Sequence, residues 1–285
     1  MKKDKRRESQ GVKWLLIGIS VLFMAVMLVL PLVSVIVNSF SLGIPFYIRS
    51  LQAEFTRSAL KVTLLAAVIA VSVNTFFGIG AAWVITKFSF KGKQVLAALI
   101  DIPFSISPVI AGLAFLMTFG RLGWANSPIT QLNEWLGTDI KIVFALPGVI
   151  LATIFVTFPF VSREIIPVLH AQGTDEEEAA ALMGASGFYI FRKITFPHIK
   201  WALVYGVILC TARALGEFGA VNALSKARGK TFTLPLEIDA LYLSGSSDSI
   251  TAAFAVSSLL VIMAVAVIAV RNILEYQAGK KEKSV

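Results

Sequence analysis

Away from their edges, the long apolar runs hold three charged residues: Asp101, Arg213 and Glu217. A charge at the middle of a membrane helix costs at least about 2.5–3.5 kcal/mol on insertion scales, so such residues face a bundle interior or a water-filled route. Arg213 and Glu217 are four residues apart, which puts them on one helix face where they can pair. Two uses follow. The pair can be a self-neutralised lock between helices. It can also line a route, with Arg213 offering a passing divalent anion a transient charge while Glu217 keeps that anion from binding too tightly. Asp101 shares its run with Pro103 and Pro108, and each proline removes a backbone donor and crowds the preceding turn, so an uninterrupted straight helix is not expected there. Broken helix at membrane depth is tolerated against protein or a cavity. This segment therefore belongs to the interior, as a packing kink or as a gate. An acid lining an anion's route would repel it, so Asp101 is expected to pair, with Arg213 as the candidate partner.

Other reactive residue types offer less. His170 and His198 are far apart in sequence and are expected at the surface, not on a metal. The single cysteine, Cys210, rules out an internal disulfide framework or a multi-cysteine metal site. Gly229-Lys230-Thr231 looks like the end of a phosphate-binding loop, but Leu224 stands where the first glycine is required. No ATP site is expected in this chain.

The elements that position these charges are membrane spans. The 285 residues are 56% hydrophobic and 15% charged, whereas soluble domains average about 25% charged and 45–50% apolar. The fold class expected is an all-α polytopic membrane protein. At about 20 apolar residues per span, six runs qualify, at roughly 14–39, 60–86, 94–119, 142–168, 201–222 and 250–272. An even number puts both termini on one side. Residues 1–13 form a basic N-terminus, 14–272 the six-helix membrane domain and 273–285 a tail. The bases before the first run resemble the start of a signal peptide, but that run is about twice the length of a signal's apolar core and no small-residue cleavage site follows, so it is expected to be retained.

The formal charge of +9 is consistent with nucleic acid, anionic lipid or membrane topology. With the N-terminus inside, 17 Lys and Arg fall on the inner side and 8 on the outer, and Arg213 lies within a span. This asymmetry supports an N-in, C-in topology and removes the support for a nucleic-acid partner.

The longest inner loop, from Arg163 to Lys200, contains a helix-turn-helix pattern at 174–197. Thr174 with Glu177 three residues on is a capping-box spacing, and the acids of the first turn face the positive end of the helix dipole. A helix should run to about Met183. Gly184 sits where helices end in a left-handed residue, Ser186-Gly187 favour a turn, and a second helix should run from about Phe188 to Ile194 until Phe196-Pro197 ends it. Ala179, Ala180 and Met183 are small or flexible enough to enter a partner's groove. By periodicity alone the hairpin could equally lie on the bilayer.

Glu178-Ala179-Ala180, three residues, Gly184, nine residues, Ile194, one residue and then a bulky apolar residue before Pro197 resemble the EAA loop of ABC importer permeases, with Phe196 where that family commonly has Leu. The resemblance implies an ABC type I importer permease fold in which this hairpin docks into a separate cytoplasmic ATPase. The coupling residues would be Glu178, as a polar anchor, with Ala179, Ala180, Met183, Gly184, Ile194 and Pro197. The stretches Leu99-Ile-Asp101-Ile-Pro103 to Pro108, Ile154 to Glu164, and Ala212-Arg213-Ala-Leu-Gly-Glu217-Phe-Gly-Ala resemble the sulfate and thiosulfate (CysTW) permeases, most of all their W-type subunits. Molybdate and tungstate permeases share the Arg-Ala-Leu-Gly-Glu-Phe-Gly-Ala stretch, so it marks the oxyanion group and not the anion. The resemblance further implies a multi-pass protein of the bacterial inner membrane. Its partners would be an ABC ATPase dimer using ATP and Mg, a second permease subunit (T-type or a copy of itself), an extracytoplasmic sulfate-binding protein and membrane lipid. The chain itself would bind no cofactor and catalyse no covalent step. A molybdate or tungstate permease is the alternative within the family. A secondary anion transporter, or an ATP-independent scaffold, is the alternative outside it, and neither needs the loop from Glu178 to Pro197.

Overall fold

Inside a bilayer no water meets the peptide groups, and a long apolar run satisfies them by becoming a helix. The computed structural model describes residues 10–282, with side chains through Leu274; the bases from Lys2 to Arg7 and the end of the C-terminal tail lie outside the described residues. Among the described residues the elements are all helical: α1 (Gln10–Ser39, with a π-turn at Ala25–Val29), α2 (Ile44–Gln52), α3 (Glu54–Lys87), α4 (Lys93–Ser105), α5 (Pro108–Phe119), α6 (Asn126–Leu136), α7 (Leu146–Gln172), α8 (Asp175–Leu182), α9 (Gly187–Leu215, with a π-turn at Phe191–Thr195), α10 (Gly219–Leu224), α11 (Leu234–Leu243) and α12 (Ser247–Glu282). Five of these, α1, α3, α7, α9 and α12, are long and apolar enough to cross a membrane, and α4 with α5 makes a sixth as a pair bent by 109°.

Lipid tails are as apolar as leucine, so these helices associate by close packing of small residues and not by hydrophobic exclusion. The core has that character. Six of the residues on the buried face of α3 are small, Ala59, Ala66, Ala67, Ala70, Gly78 and Ala82, and the helix packs on α7 and α9 through Val161, Ile165, Leu169, Ile199 and Cys210. Val161 is held between two glycines: a Cβ on Gly78 would lie 3.0 Å from its Cβ, and one on Gly206 would lie 3.0 Å from its Cα. At the other end of α3 a second cluster of Val62, Ala66, Val149, Val221 and Leu236 joins α7, α10 and α11. Helix α1 departs from this pattern. Every residue from 10 to 34 is exposed, and α1 attaches only near its end, where the Ser39 hydroxyl donates to the carbonyl of Phe254 in α12 at 3.0 Å.

Two expected boundaries move. The run expected at 94–119 is not one rod: Pro103 lies within α4, and the break falls at Ile106-Ser107, because the residue before Pro108 is driven to extended backbone (Ser107 ψ 133°). The run expected at 201–222 is helical from Gly187 to Leu215. It stops early at Gly216, and a new short helix starts at Gly219. It starts early because Pro197 does not end the hairpin's second limb. The π-turn shifts the register by one, with the Phe196 amide donating to the Phe191 carbonyl, so the donor that proline lacks is absorbed and limb and span become one helix.

Candidate functional site: docking hairpin and broken-helix junction

The hairpin is built from α8 and the first turns of α9. At its tip Gly184 adopts φ +87°, its amide donates to the Ala181 carbonyl at 2.9 Å and the Ala185 amide to the Ala180 carbonyl at 3.0 Å. These two bonds are the Schellman closure that a left-handed residue permits. Glu178, Ala179, Leu182, Met183 and Phe188 are exposed around this turn. Ala180 is not: it is buried in its own chain and cannot enter a partner's groove as expected. Ile194 is half-buried, and Pro197 is exposed within the continuous α9.

The capping box does not form. The Thr174 side chain makes no cap bond. The Glu177 carboxylate turns the other way, 3.0 Å from Lys87 Nζ at the end of α3, and accepts from Thr195 Oγ1 at 2.6 Å. An ammonium and a hydroxyl held close to one carboxylate outcompete a lone backbone amide.

The second constellation is where the two broken elements meet. Gly219 and Pro108 approach so closely that a Cβ on Gly219 would lie 3.0 Å from the Pro108 Cβ, and one on Gly112 would lie 2.4 Å from the Ala220 carbonyl oxygen. Thus α5, beyond the break before Pro108, lies on α10, beyond the break at Gly216. Arg213 Nη1 is 2.7 Å from Glu217 Oε2; the side chains are 31% and 1% exposed. Glu217 lies past the end of α9, and its Oε1 accepts the Ala220 amide of α10 at 2.9 Å. Its carboxylate therefore ties the last turn of one helix to the first turn of the next and satisfies a donor that no helical carbonyl can reach. Asp101 is not part of this group. Its Oδ1 is 2.8 Å from Arg163 Nε in α7, whose guanidinium stacks 4.6 Å from the centre of the Phe104 ring. Both members of that pair are half-exposed, so the expected partnership with Arg213 is replaced by one across α4 and α7.

Two polar clusters escaped the sequence reading. Asn74, fully buried in α3, donates to the Ile154 carbonyl at 3.1 Å and to Thr157 Oγ1 at 2.8 Å. That carbonyl is free because the Phe158 amide, ahead of Pro159, bonds Phe155 instead. Arg228 grips Glu237 with two bonds of 2.9 and 2.6 Å and stacks on Phe55. Glu237 is nearly wholly buried, and its hydrogen bonds raise the pKa of Arg228 above its usual value. The available signal was a single acid within the apolar stretch Leu-Pro-Leu-Glu-Ile.

A docking-type hairpin thus continues into one span, an ion pair closes the break between α9 and α10, and glycine contacts press α10 on α5. Residues 74–276 match the family described as the inner membrane component of binding-protein-dependent transport systems. The chain belongs to this family. It is 42% identical over 285 residues to the sulfate transport system permease protein CysW of Escherichia coli (strain K12), covering 99% of this chain and 94% of the relative. It is 43% identical over 286 residues to that of Synechococcus elongatus, covering 98% and 97%. Among solved structures, a chain of a bacterial alginate ABC transporter in complex with its pentasaccharide-bound periplasmic protein superposes with TM-score 0.77 at 18% identity, covering 94% of this chain and 96% of that one. The fold is that of ABC type I importer permeases.

Proposed function

We propose that this chain is one membrane-crossing half of an ATP-driven sulfate importer, moved by a separate ATPase that grips its hairpin. The observation that carries this reading is the 42% identity over 99% of the chain to a sulfate transport permease, an extent that takes in the hairpin and the Arg213–Glu217 segment alike. Two ATPase subunits would use ATP and Mg, an extracytoplasmic binding protein would deliver the anion, and a second permease, T-type or a copy of this chain, would complete the route in the bacterial inner membrane. The termini and the hairpin are assigned to the cytoplasm on the excess of Lys and Arg in the inner loops.

The geometry supports a lever. The exposed Glu178, Leu182, Met183 and Phe188 present a mixed polar and apolar surface that a cleft can hold. Because limb and span are one helix, movement at Gly187 would be carried rigidly to Arg213, about 40 Å away at 1.5 Å per residue. Beyond Gly216 the chain turns and α10 presses on α5, so rocking of α9 would displace the bent segment. When ATP draws the two ATPases together, the hairpins would follow and the route would switch from inward-open to outward-open. Arg213, held by a buried acid and still partly exposed, would offer the dianion attraction without a trap.

The test is reconstitution of this chain with its ATPase, second permease and binding protein in liposomes. Sulfate-loaded binding protein should stimulate ATP hydrolysis and ATP-dependent sulfate uptake together. Stimulation by molybdate instead of sulfate would reassign the substrate, and uptake that needs no ATPase would overturn the reading.

A further inference from the structure

Of the four consecutive acids that open α8, Glu177 is the one turned inward. Its carboxylate lies 3.0 Å from Lys87 Nζ, the side chains being only 15% and 7% exposed, and it also accepts from Thr195 Oγ1 at 2.6 Å. Lys87 is the last residue of α3 and donates as well to the carbonyl of Gly173, just ahead of α8. One ammonium thus holds the entry to the docking helix and its first turn. One carboxylate ties that turn to the π-turn of α9, which Thr195 ends. Elsewhere α8 packs lightly, its main neighbours being the start of α9. The other link from its acids, Glu176 to His198 at 3.7 Å, is far more exposed and correspondingly weak.

We infer that Lys87 and Glu177 are positioning residues for energy coupling: the shielded ion pair clamps the docking helix to α3 as well as α9, so that hairpin movement shifts two spans at once. The inference rests on the proposed ATPase-driven role. Without the clamp, α8 would still present its surface to the ATPase, but its motion would reach α9 alone and leave α3 behind. Loss of one partner would also leave a charge shielded from water and unpaired, which favours reorientation of α8.

The test uses the full reconstituted complex and reads sulfate transported per ATP hydrolysed in wild type, Lys87→Met, Glu177→Gln and the exchange Lys87→Glu with Glu177→Lys. The ratio should fall about tenfold in Lys87→Met, within the usual span of coupling factors, while the ATPase still co-purifies and hydrolyses ATP. Glu177→Gln keeps an acceptor for Thr195 and should lose less. The exchange should recover most of the ratio. Hydrolysis and uptake that fall in proportion in Lys87→Met, leaving the ratio unchanged, would overturn the clamp, as would an exchange no better than the single changes. A wild-type complex without ATP-coupled uptake would fail the functional reading itself, a separate outcome seen before any variant is compared.

Discussion

Glu217 is a carboxylate withdrawn from water that retains a cation on one oxygen and a backbone amide on the other. Removing the cation should therefore cost more than neutralising the acid. Arg213→Met is expected to destabilise the purified chain by about 2–3 kcal/mol, below the 3–5 of a fully buried pair because Arg213 is 31% exposed. Glu217→Gln, which keeps an acceptor for Ala220, should cost less. Denaturant unfolding in detergent reads both, and a Glu217→Gln variant less stable than Arg213→Met would reverse the assignment. Uptake by the double variant separates lock from lining: if it regains what each single change loses, the pair is structural. This contact was legible because an i, i+4 spacing is local geometry. The reason it forms was not, since Glu217 stands beyond the helix end and is turned back by the break at Gly216. Asp101 shows the limit more plainly. Its partner Arg163 is 62 residues away, and the choice between Arg163 and Arg213 is made by how α4 packs on α7, which no local pattern records.

At the scale of elements, the glycine turn and the glycine contact make separate predictions. Gly184→Val places a β-branched residue at φ +87°, a strain of order 1–3 kcal/mol confined to the hairpin tip. ATPase association, read by co-purification, should weaken while insertion into the membrane is unaffected. Gly112→Leu meets the Ala220 carbonyl at 2.4 Å, so α5 and α10 must separate, an overpacking cost of about 1–3 kcal/mol. Here the ATPase should still bind and sulfate uptake should fall; normal uptake would show that the junction does not move with transport. The tip was readable because a left-handed C′ residue obeys backbone rules that act over six residues. The root was misread. Pro197 reads as a terminator until a π-turn is allowed one turn earlier, and nothing in Phe191–Thr195 announces a shift that the packing of Thr195 against Glu177 helps to hold.

For the whole molecule, apolar runs showed how many times the chain can cross, since bilayer thickness fixes that length. The charge asymmetry of the loops adds a direction. Cys210 is buried, so an impermeant maleimide applied to spheroplasts should read introduced thiols alone. Ser246→Cys should label in intact spheroplasts and Met183→Cys only after lysis, and the reverse pattern would invert the topology. What composition did not disclose is which spans make the core: α1 and α3 are both long apolar helices, yet one buries nothing over residues 10–34 and the other is the central post. That difference bears on biogenesis. A helix that satisfies its own peptide groups and is exposed over residues 10–34 can wait in lipid while the helix it packs on near its end is still being synthesised. Its packing on α12 near residue 39, where Ser39 bonds Phe254 across 215 residues of sequence, can form only when α12 has arrived.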